Sequence, residues 1–421
     1  MYDVIVIGGG PAGSVISYIL ANKGFNVLLL EKYGRNRYKP CAGGVSTVSM
    51  TTLEKLKLRI PEEVIEAEIY YARIIHKTKE LTLTTGKLGG YCVYRSKFDQ
   101  WLRDSAESAG VEVKHECPAY EVKIHKDCVE VKHRGGMSEG KILVGAFGAL
   151  GILQFYKQLG IKEKPKFSLA VQREFILPDE DMETIADTLE LYFGSDITTK
   201  GYFWIFPKTK SNGASVGLIE DIPEPRMTER LDKIISKHPV ASKRLVRAKP
   251  ISISGVHLSG QIVACSPINK PYGDRFILIG EAAGLVEGFA WEGMSTAIRS
   301  AVIGAEVLTK ALEKDKFDEM TLKEYYDKLK KELINHDLIY QNKLGQVLYS
   351  CSPKEFDTII NGLIKLLQID KEVGLKFAEV LGRLVTGEEI IKLLLSKKLA
   401  AIKAFGLIQA IKLFFKFRKI I

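Results

Sequence analysis

Gly8, Gly10 and Gly13 stand in the spacing Gly-x-Gly-x-x-Gly near the start of the chain. In that spacing the first glycine allows a tight turn, the second lets a pyrophosphate approach the backbone, and the third lets a helix lie close to a strand. The spacing alone says little, because the chain holds 37 glycines. Its setting says more. An apolar run from Tyr2 to Ile7 precedes it, a helical pattern from Pro11 to Leu20 follows, and a second apolar run, Val27 to Leu30, ends at Glu31. Pro11 and Ala12 open the helix whose free N–H groups would face an anion. Glu31 would accept hydrogen bonds from an adenosine ribose. Its charge disfavours a 2′-phosphate, although the neighbouring Lys32 prevents strict exclusion. This is the chemistry of a dinucleotide site, and its geometry alone does not separate FAD from NAD.

A later segment, RFILIGEAAGLVEGFAWEGMSTA, runs from another buried strand into small residues and then a helix. Gly280 and Gly284 let the backbone turn beneath an extended ligand, and Glu281 offers a carboxylate to its hydroxyls. Gly293 and Met294 begin a helix whose N–H groups would point at the oxygen-bearing edge of a flavin. Here the chain resembles the FAD-dependent reductases and hydroxylases that share the para-hydroxybenzoate hydroxylase fold, with Gly280-Glu281 where that superfamily usually has Gly-Asp. VYRSKFDQWLRDSAESAG is similar to its Arg-x-x-Phe-Asp-x-x-Leu helix, with Arg95, Phe98, Asp99 and Leu102 at the matching positions. Arg95 is either a cofactor contact or one half of a helix-end salt bridge. LVGAFGALG stands where Gly-Ala-Asp-Gly is usual: Gly145, Ala146 and Gly148 match, while Phe147 replaces the aspartate and cannot do a carboxylate's work. The resemblance implies FAD as the cofactor.

Two further motifs narrow it. KPCAGG, residues 39 to 44, and YFWIFP, residues 202 to 207, resemble the archaeal geranylgeranyl reductase family. In that family's likeness Cys41, Ala42 and Gly43 form a loop facing the flavin ring. The Cys41 thiol could tune the flavin or donate a proton, or it could be a small buried hydrophobe. A disulfide between Cys41 and Cys92 stays open, since sequence does not give their separation. Strand alternation puts Tyr202, Trp204 and Phe206 on one face and Phe203 and Ile205 on the other, with pairing expected to stop at Pro207. That face is either an apolar wall for a polyprenyl chain, which offers almost nothing to hydrogen-bond, or an ordinary aromatic core strand. The resemblance implies reduction of isolated C=C bonds in geranylgeranyl chains of isoprenoid lipids or prenyl diphosphates, by hydride from N5 of reduced flavin. Its alternatives are a flavin monooxygenase of an apolar substrate and a non-enzymatic lipid-binding protein with a FAD fold. One dinucleotide fingerprint and no iron–sulfur cysteine cluster leave electrons to an external donor, a reduced carrier protein or a nicotinamide.

The elements that must position these residues read as an α/β protein: a Rossmann-like FAD-binding domain, an inserted antiparallel-sheet substrate domain and a helical C-terminal region. The FAD-binding domain is expected over 1–75, 96–151 and 266–312. Substrate-domain strands and a crossover take 76–95, the substrate sheet 152–265 and the helical region 313–421. The 421 residues, 46% of them apolar, suffice for several packed units. Six cysteines without a Cys-x-x-Cys pair and seven scattered histidines make neither a disulfide framework nor a metal signature. There is no nucleophile elbow or Walker A loop. No signal peptide or membrane span is expected, which points to the cytoplasm. A balance of 61 Lys and Arg against 51 Asp and Glu, net +10, suits an anionic surface, and a membrane is preferred to nucleic acid as that surface. After Glu389 no acid occurs, while Lys392, Lys397, Lys398, Lys403, Lys412, Lys416, Arg418 and Lys419 are interleaved with Leu393, Leu394, Phe405, Leu407, Phe414, Phe415 and Phe417. Such a segment could rest on the inner face of the membrane or pack against the protein body.

Overall fold

The computed structural model describes residues 1–253 and 255–418. Lys419 thus lies outside the described residues, as does the side chain of Phe417.

The continuous apolar run at the N-terminus forms the strand Tyr2–Ile7, whose Val4, Ile5 and Val6 are fully buried. It pairs in parallel with Gly136–Gly145 on one side and with Val27–Leu30 on the other. Parallel pairing continues outward to Phe276–Leu278 and to Glu112–Lys114. The first sheet is therefore assembled from segments spread over the first two thirds of the chain, and its parallel strands end on one edge, where an open sheet of this kind offers its crevice. The helices Pro11–Asn22, Arg95–Ser108 and Met294–Glu313 pack around it. In Arg95–Ser108, Phe98, Leu102 and Ala106 form the buried stripe, and Trp101 packs at its margin.

A second sheet has the order Lys249–Ile251, Lys166–Ile176, Gly213–Glu220, Thr198–Lys208, Thr188–Gly194, Tyr71–His76 and Lys79–Leu83, with Ser259–Cys265 also paired to Lys166–Ile176. It is antiparallel except where Thr188–Gly194 meets Tyr71–His76 in parallel. That junction joins a hairpin from early in the chain to strands more than 100 residues later, so no hairpin connection sets its direction. Pairing does not stop at Pro207: the register continues through Pro207 opposite Ala214 to Lys208 opposite Gly213. The proline is tolerated because the neighbour on the other side pairs only as far as Ile205, which leaves residue 207 on a local edge. A small third sheet, Gly44–Ser46 with Gly90–Val93 and Ile65–Ile69, carries the end of the KPCAGG loop.

The C-terminal helices cover the second sheet, with Pro353–Ile369 lying against Tyr71–His76 and Thr188–Gly194. Their starts follow from sequence: Ser352 and Asp370 accept hydrogen bonds from the N–H groups of Glu355 and Val373, and Thr386 with Glu389 forms a capping box. The segment Lys330–Leu338 is wound as a π-helix, and Asp337 at its end is buried. Arg383 donates to Asp337 at 2.8 Å and lies 3.6 Å from Glu292, joining the helical region to the late glycine-rich segment. Arg383→Met leaves both carboxylates short of their buried partner. The expected loss of unfolding free energy is about 3–5 kcal/mol, read by urea denaturation.

Candidate active site

The turn after the first strand is built for glycine. Gly8 has φ +108°, and a Cβ there would sit 2.4 Å from the carbonyl oxygen of Ala146. A Cβ at Gly13 would sit 1.9 Å from the carbonyl oxygen of Gly8. Gly10 caps the helix Pro11–Asn22 without a side-chain hydrogen bond, so its first N–H groups are not claimed by a capping side chain. Ala12 is buried behind it. Glu31 is buried at the end of the second strand and accepts from the N–H groups of Gly9 at 2.8 Å and Tyr33 at 3.0 Å. Lys32 is exposed, with its ammonium 4.7 Å from the centre of the Tyr33 ring.

A chain of buried charge lies against this turn. Arg95 makes a two-pronged bond with Asp99, at 2.7 and 2.8 Å, so the salt bridge expected as one of its readings is present. The Cys41 side chain is near enough to raise the same guanidinium, though less than Asp99 does, which brings the KPCAGG loop within its electrostatic reach. Arg37 pairs with Asp99 and lies 3.7 Å from Glu31. Arg103, fully buried, donates to the carbonyl oxygens of Gly9 at 2.9 Å and Arg35 at 2.8 Å. Burial by itself raises the Asp99 carboxyl, but the guanidinium groups of Arg95 and Arg37 outweigh it and hold that carboxyl well below the usual range. Arg37 and Arg103 escape sequence reading. Arg103 shares a helix with the Arg95 motif, yet nothing in its spacing announces a partner in the glycine turn.

The late segment faces this turn from the other side. Gly280 has φ +58° and donates its N–H to Ser300 at 3.0 Å. Glu281 accepts from the N–H of Ala264 at 3.3 Å, and Lys39 lies 3.3 Å from its carboxylate. A Cβ at Gly148 would sit 3.3 Å from the same carboxylate. Residues 39, 146–148 and 281, far apart in sequence, thus meet around one crevice. Phe147 does not enter it: its ring fills the spaces that side chains at Gly145 and Gly151 would need and packs 5.0 Å from Phe155. Gly293 caps Met294–Glu313, whose Met294 is buried, and Glu292 claims the N–H of Ser295 at 2.7 Å. Glu287, fully enclosed, accepts from the N–H groups of Phe289, Ala290 and Glu292, which fixes the loop between the two glycine motifs. Cys41 is half-buried, its sulfur 3.4 Å from the N–H of Gly43, and Gly44 lies over the Phe206 ring. Cys41 and Cys92 are both free thiols, and burial pushes Cys92 up to about 11.

The strand Thr198–Lys208 leads from that loop to a cavity of about 470 Å³. Tyr202 lines the cavity with Ile74, Leu191 and Phe193 from the sheet and Phe289 and Ala290 from the fixed loop, and the C-terminal helices form its roof. Tyr202 donates to the carbonyl oxygen of Ala290 at 2.6 Å. Trp204 does not line the cavity. It is buried beside Tyr202, its ring in the place a side chain at Gly217 would take. Phe206 lies under Gly44, and Pro207 is in the hairpin end. The aromatic face therefore serves as cavity wall at one end and loop support at the other. The indole N–H groups of Trp204 and Trp291, both buried, have no acceptor in the chain among the described residues. The open helix start, the cradle that a Cβ at Gly8 or Gly13 would fill, and Glu31 fit a bound flavin dinucleotide. No group of three His, Cys, Asp or Glu side chains that could hold a metal occurs among the described residues.

Asp99→Asn tests the buried charge chain. The cost at pH 7 is about 3–5 kcal/mol, because Arg95 and Arg37 lose their anion. A carboxyl with a depressed folded pKa adds stability above its unfolded value of about 3.9 and loses it as pH falls further. Denaturation at a series of pH values should therefore show the gap to wild type steady near neutrality and closing below about pH 4. A gap unchanged in acid would contradict the charge assignment.

Comparison with known proteins agrees with this geometry. Residues 1–173 match the FAD binding domain family, and residues 169–254 match the geranylgeranyl reductase catalytic domain. The chain is 29% identical over 394 residues to a digeranylgeranylglycerophospholipid reductase of Methanocaldococcus jannaschii, covering 92% of this chain and 95% of that one. It is also 29% identical to digeranylgeranylglycerophospholipid reductase 2 of Methanopyrus kandleri, covering 93% and 94%. A crystal structure of a geranylgeranyl bacteriochlorophyll reductase-like protein from Thermoplasma acidophilum shares the fold, with a TM-score of 0.76 at 24% identity over 96% of this chain and 98% of that one. With the glycine turn inside the first matched domain and the YFWIFP strand inside the second, the chain carries an FAD binding domain followed by a geranylgeranyl reductase catalytic domain.

Proposed function

We propose that this chain reduces isolated carbon–carbon double bonds in the geranylgeranyl chains of an isoprenoid lipid. The observation that carries the reading is the apolar cavity walled by Tyr202 and Phe289, whose packed apolar cluster extends to Ala42 and Phe206 at the Cys41 loop. FAD, when bound, supplies the hydride for one alkene carbon and takes its electrons back from an external donor, a reduced carrier protein or a nicotinamide. The residues of the chain do the rest. Leu191, Phe193, Tyr202 and Phe289 hold a chain that has no polar handle, each methylene removed from water contributing about 0.8 kcal/mol. The same walls keep water from the reacting carbons. An isolated alkene has no carbonyl to absorb negative charge, so the proton for the second carbon must arrive before or with the hydride. We assign that proton to the Cys41 thiol. Its loop is half-buried, which lets solvent restore the proton after each turnover.

The named activity of the relatives in Methanocaldococcus jannaschii and Methanopyrus kandleri supports a glycerophospholipid as the substrate, ahead of a prenyl diphosphate. The matched catalytic domain also favours reduction over the two alternatives, oxygen insertion and binding without turnover. The expected bounds at 75 and 95 shift, because Tyr71–His76 pairs into the second sheet and Arg95 opens a helix of the first; we assign the FAD-binding role to 1–70, 95–151 and 266–312, the substrate role to the strands within 71–94 and 152–265, and the roof of the cavity to 313–421. No helix among the described residues is long and apolar enough to cross a membrane. A peripheral seat is supported by the helix Leu407–Arg418, which exposes Leu407, Ile408, Ile411 and Phe415 while Ile411 and Phe415 also line the cavity. A lipid could pass from bilayer to cavity along that helix, with Lys412 and Arg418 near the headgroups.

Anaerobic enzyme reduced chemically and mixed with geranylgeranyl glycerophospholipid should yield product heavier by two hydrogens per alkene, read by mass spectrometry. Reduced flavin that persists with phospholipid and diphosphate substrates alike would refute the assignment. The double variant Leu407→Ser, Ile408→Ser removes exposed apolar area without touching the cavity wall. It should bind anionic liposomes about tenfold or more weakly, from the loss of two interfacial side chains. Unchanged liposome binding would return this helix to a purely structural role.

A further inference from the structure

We propose that Lys208 and Gln172 are positioning residues for Cys41, acting through two consecutive carbonyls of its loop. The proposal deepens the reading of Cys41 as proton donor and rests on it for the link to turnover, but not for the geometry of the thiol. Lys208 follows the YFWIFP motif and is fully buried. Its ammonium donates to the carbonyl oxygen of Ala42 at 2.7 Å and stands 5.6 Å from the centre of the Tyr94 ring. Among the described residues no carboxylate lies within ion-pair reach of it. Taking a lone ammonium out of water is costly, and a single neutral carbonyl does not offset it.

The compensation comes through a polar cluster on the same sheet. Glu174, also buried, accepts from Ser215 at 2.7 Å, from Gln172 at 2.5 Å and from Tyr38 at 3.4 Å. Burial raises its carboxyl and the nearby Lys208 charge opposes that rise, so the two groups feel one another across the cluster. Gln172 turns the same amide nitrogen to the carbonyl oxygen of Cys41 at 3.3 Å. One residue on, Gly43 has φ +78°, and its carbonyl accepts from the N–H of Val93 at 2.9 Å. A Cβ at Gly43 would meet the Val93 oxygen at 2.0 Å. The carbonyls of residues 41, 42 and 43 are thus each held by a different partner, and these bonds, with the Gly43 N–H 3.4 Å from the sulfur, set the direction of the Cys41 side chain. A loop that only needed to be satisfied could have turned these carbonyls to water, since Cys41 is half-buried.

The test is site-resolved alkylation of the holoenzyme by iodoacetamide, with Cys128, half-buried on another part of the fold, as the internal reference. Lys208→Met and Gln172→Leu free one carbonyl each. Both should change the Cys41 rate relative to Cys128, Lys208→Met by about tenfold, the scale of a lost hydrogen bond from a charged donor. Lys208→Arg, which keeps the charge and donors, should recover part of it. Lys208→Met should also lower kcat with little change in KM, because the lipid walls are untouched. Cys41 alkylation unchanged in both variants would overturn the proposal, and if Lys208→Met does not fold, Gln172→Leu decides. Altered alkylation with unchanged kcat would support the positioning and overturn the proton-donor reading, so the two fail separately.

Discussion

An isolated alkene can be placed only by shape. It offers no charge and no hydrogen bond, so the distance from a lipid to a redox group has to be set by apolar packing on a rigid element. On the function proposed for this chain, that element is the strand Thr198–Lys208. Residues two apart on a strand share a face at intervals of about 7 Å, so Tyr202, Trp204 and Phe206 span roughly 13 Å from cavity wall to the Cys41 loop. Each is fixed by something outside the strand: Tyr202 by the carbonyl of Ala290, Trp204 by the space over Gly217, Phe206 by Gly44. Pairing on both sides keeps the strand from sliding through Ile205.

The rest of the molecule holds two walls opposite that strand. The Cys41 loop and the late glycine segment are joined by Lys39 and Glu281. The loop between Glu287 and Glu292 is tied to the helical region by Arg383, and Trp291 within it adopts a left-handed φ of +52°. Glu287 is pushed up by its burial and steadied by Arg383 and three backbone N–H groups. A loop bound this tightly can present Phe289 and Ala290 to the cavity without collapsing into it. The C-terminal helices close the other side, so many of their apolar residues serve the cavity roof and the protein body, while Leu399, Leu407 and Ile408 are among those left exposed.

Local pattern made the turn at Gly8, the helix Arg95–Ser108 and the alternation along the YFWIFP strand legible from sequence. In each the reason for the residue type lies within a few positions of it. Arg37 and Arg103 were not legible, since their partners, Asp99, Glu31 and the Gly9 carbonyl, are brought to them only by the assembled sheet. The role of Lys208 was hidden for the same reason, because a lysine after a proline reads as a solvated strand end. Phe147 gave a partial signal: its mismatch with the expected aspartate was visible, but the space at Gly145 and Gly151 that receives it was not. The parallel junction between Tyr71–His76 and Thr188–Gly194 was invisible because its partners are not joined by a turn. Alternation put Tyr202, Trp204 and Phe206 on one face but left open whether that face is a cavity wall or core packing, and of the three only Tyr202 lines the cavity.

On the proposed function, the lipid reaches the flavin through the cavity beside Tyr202. Leu191→Trp places a larger ring in that wall, away from the glycine turn and the Cys41 loop. Stopped-flow spectra of the anaerobic enzyme separate chemical reduction of the flavin from its reoxidation by geranylgeranyl lipid. FAD content and chemical reduction should be normal, with reoxidation by lipid slowed by at least about tenfold, the effect of roughly 1.4 kcal/mol of lost or strained packing. Reoxidation at the wild-type rate would contradict it, because the lipid would then be reaching the flavin by another route.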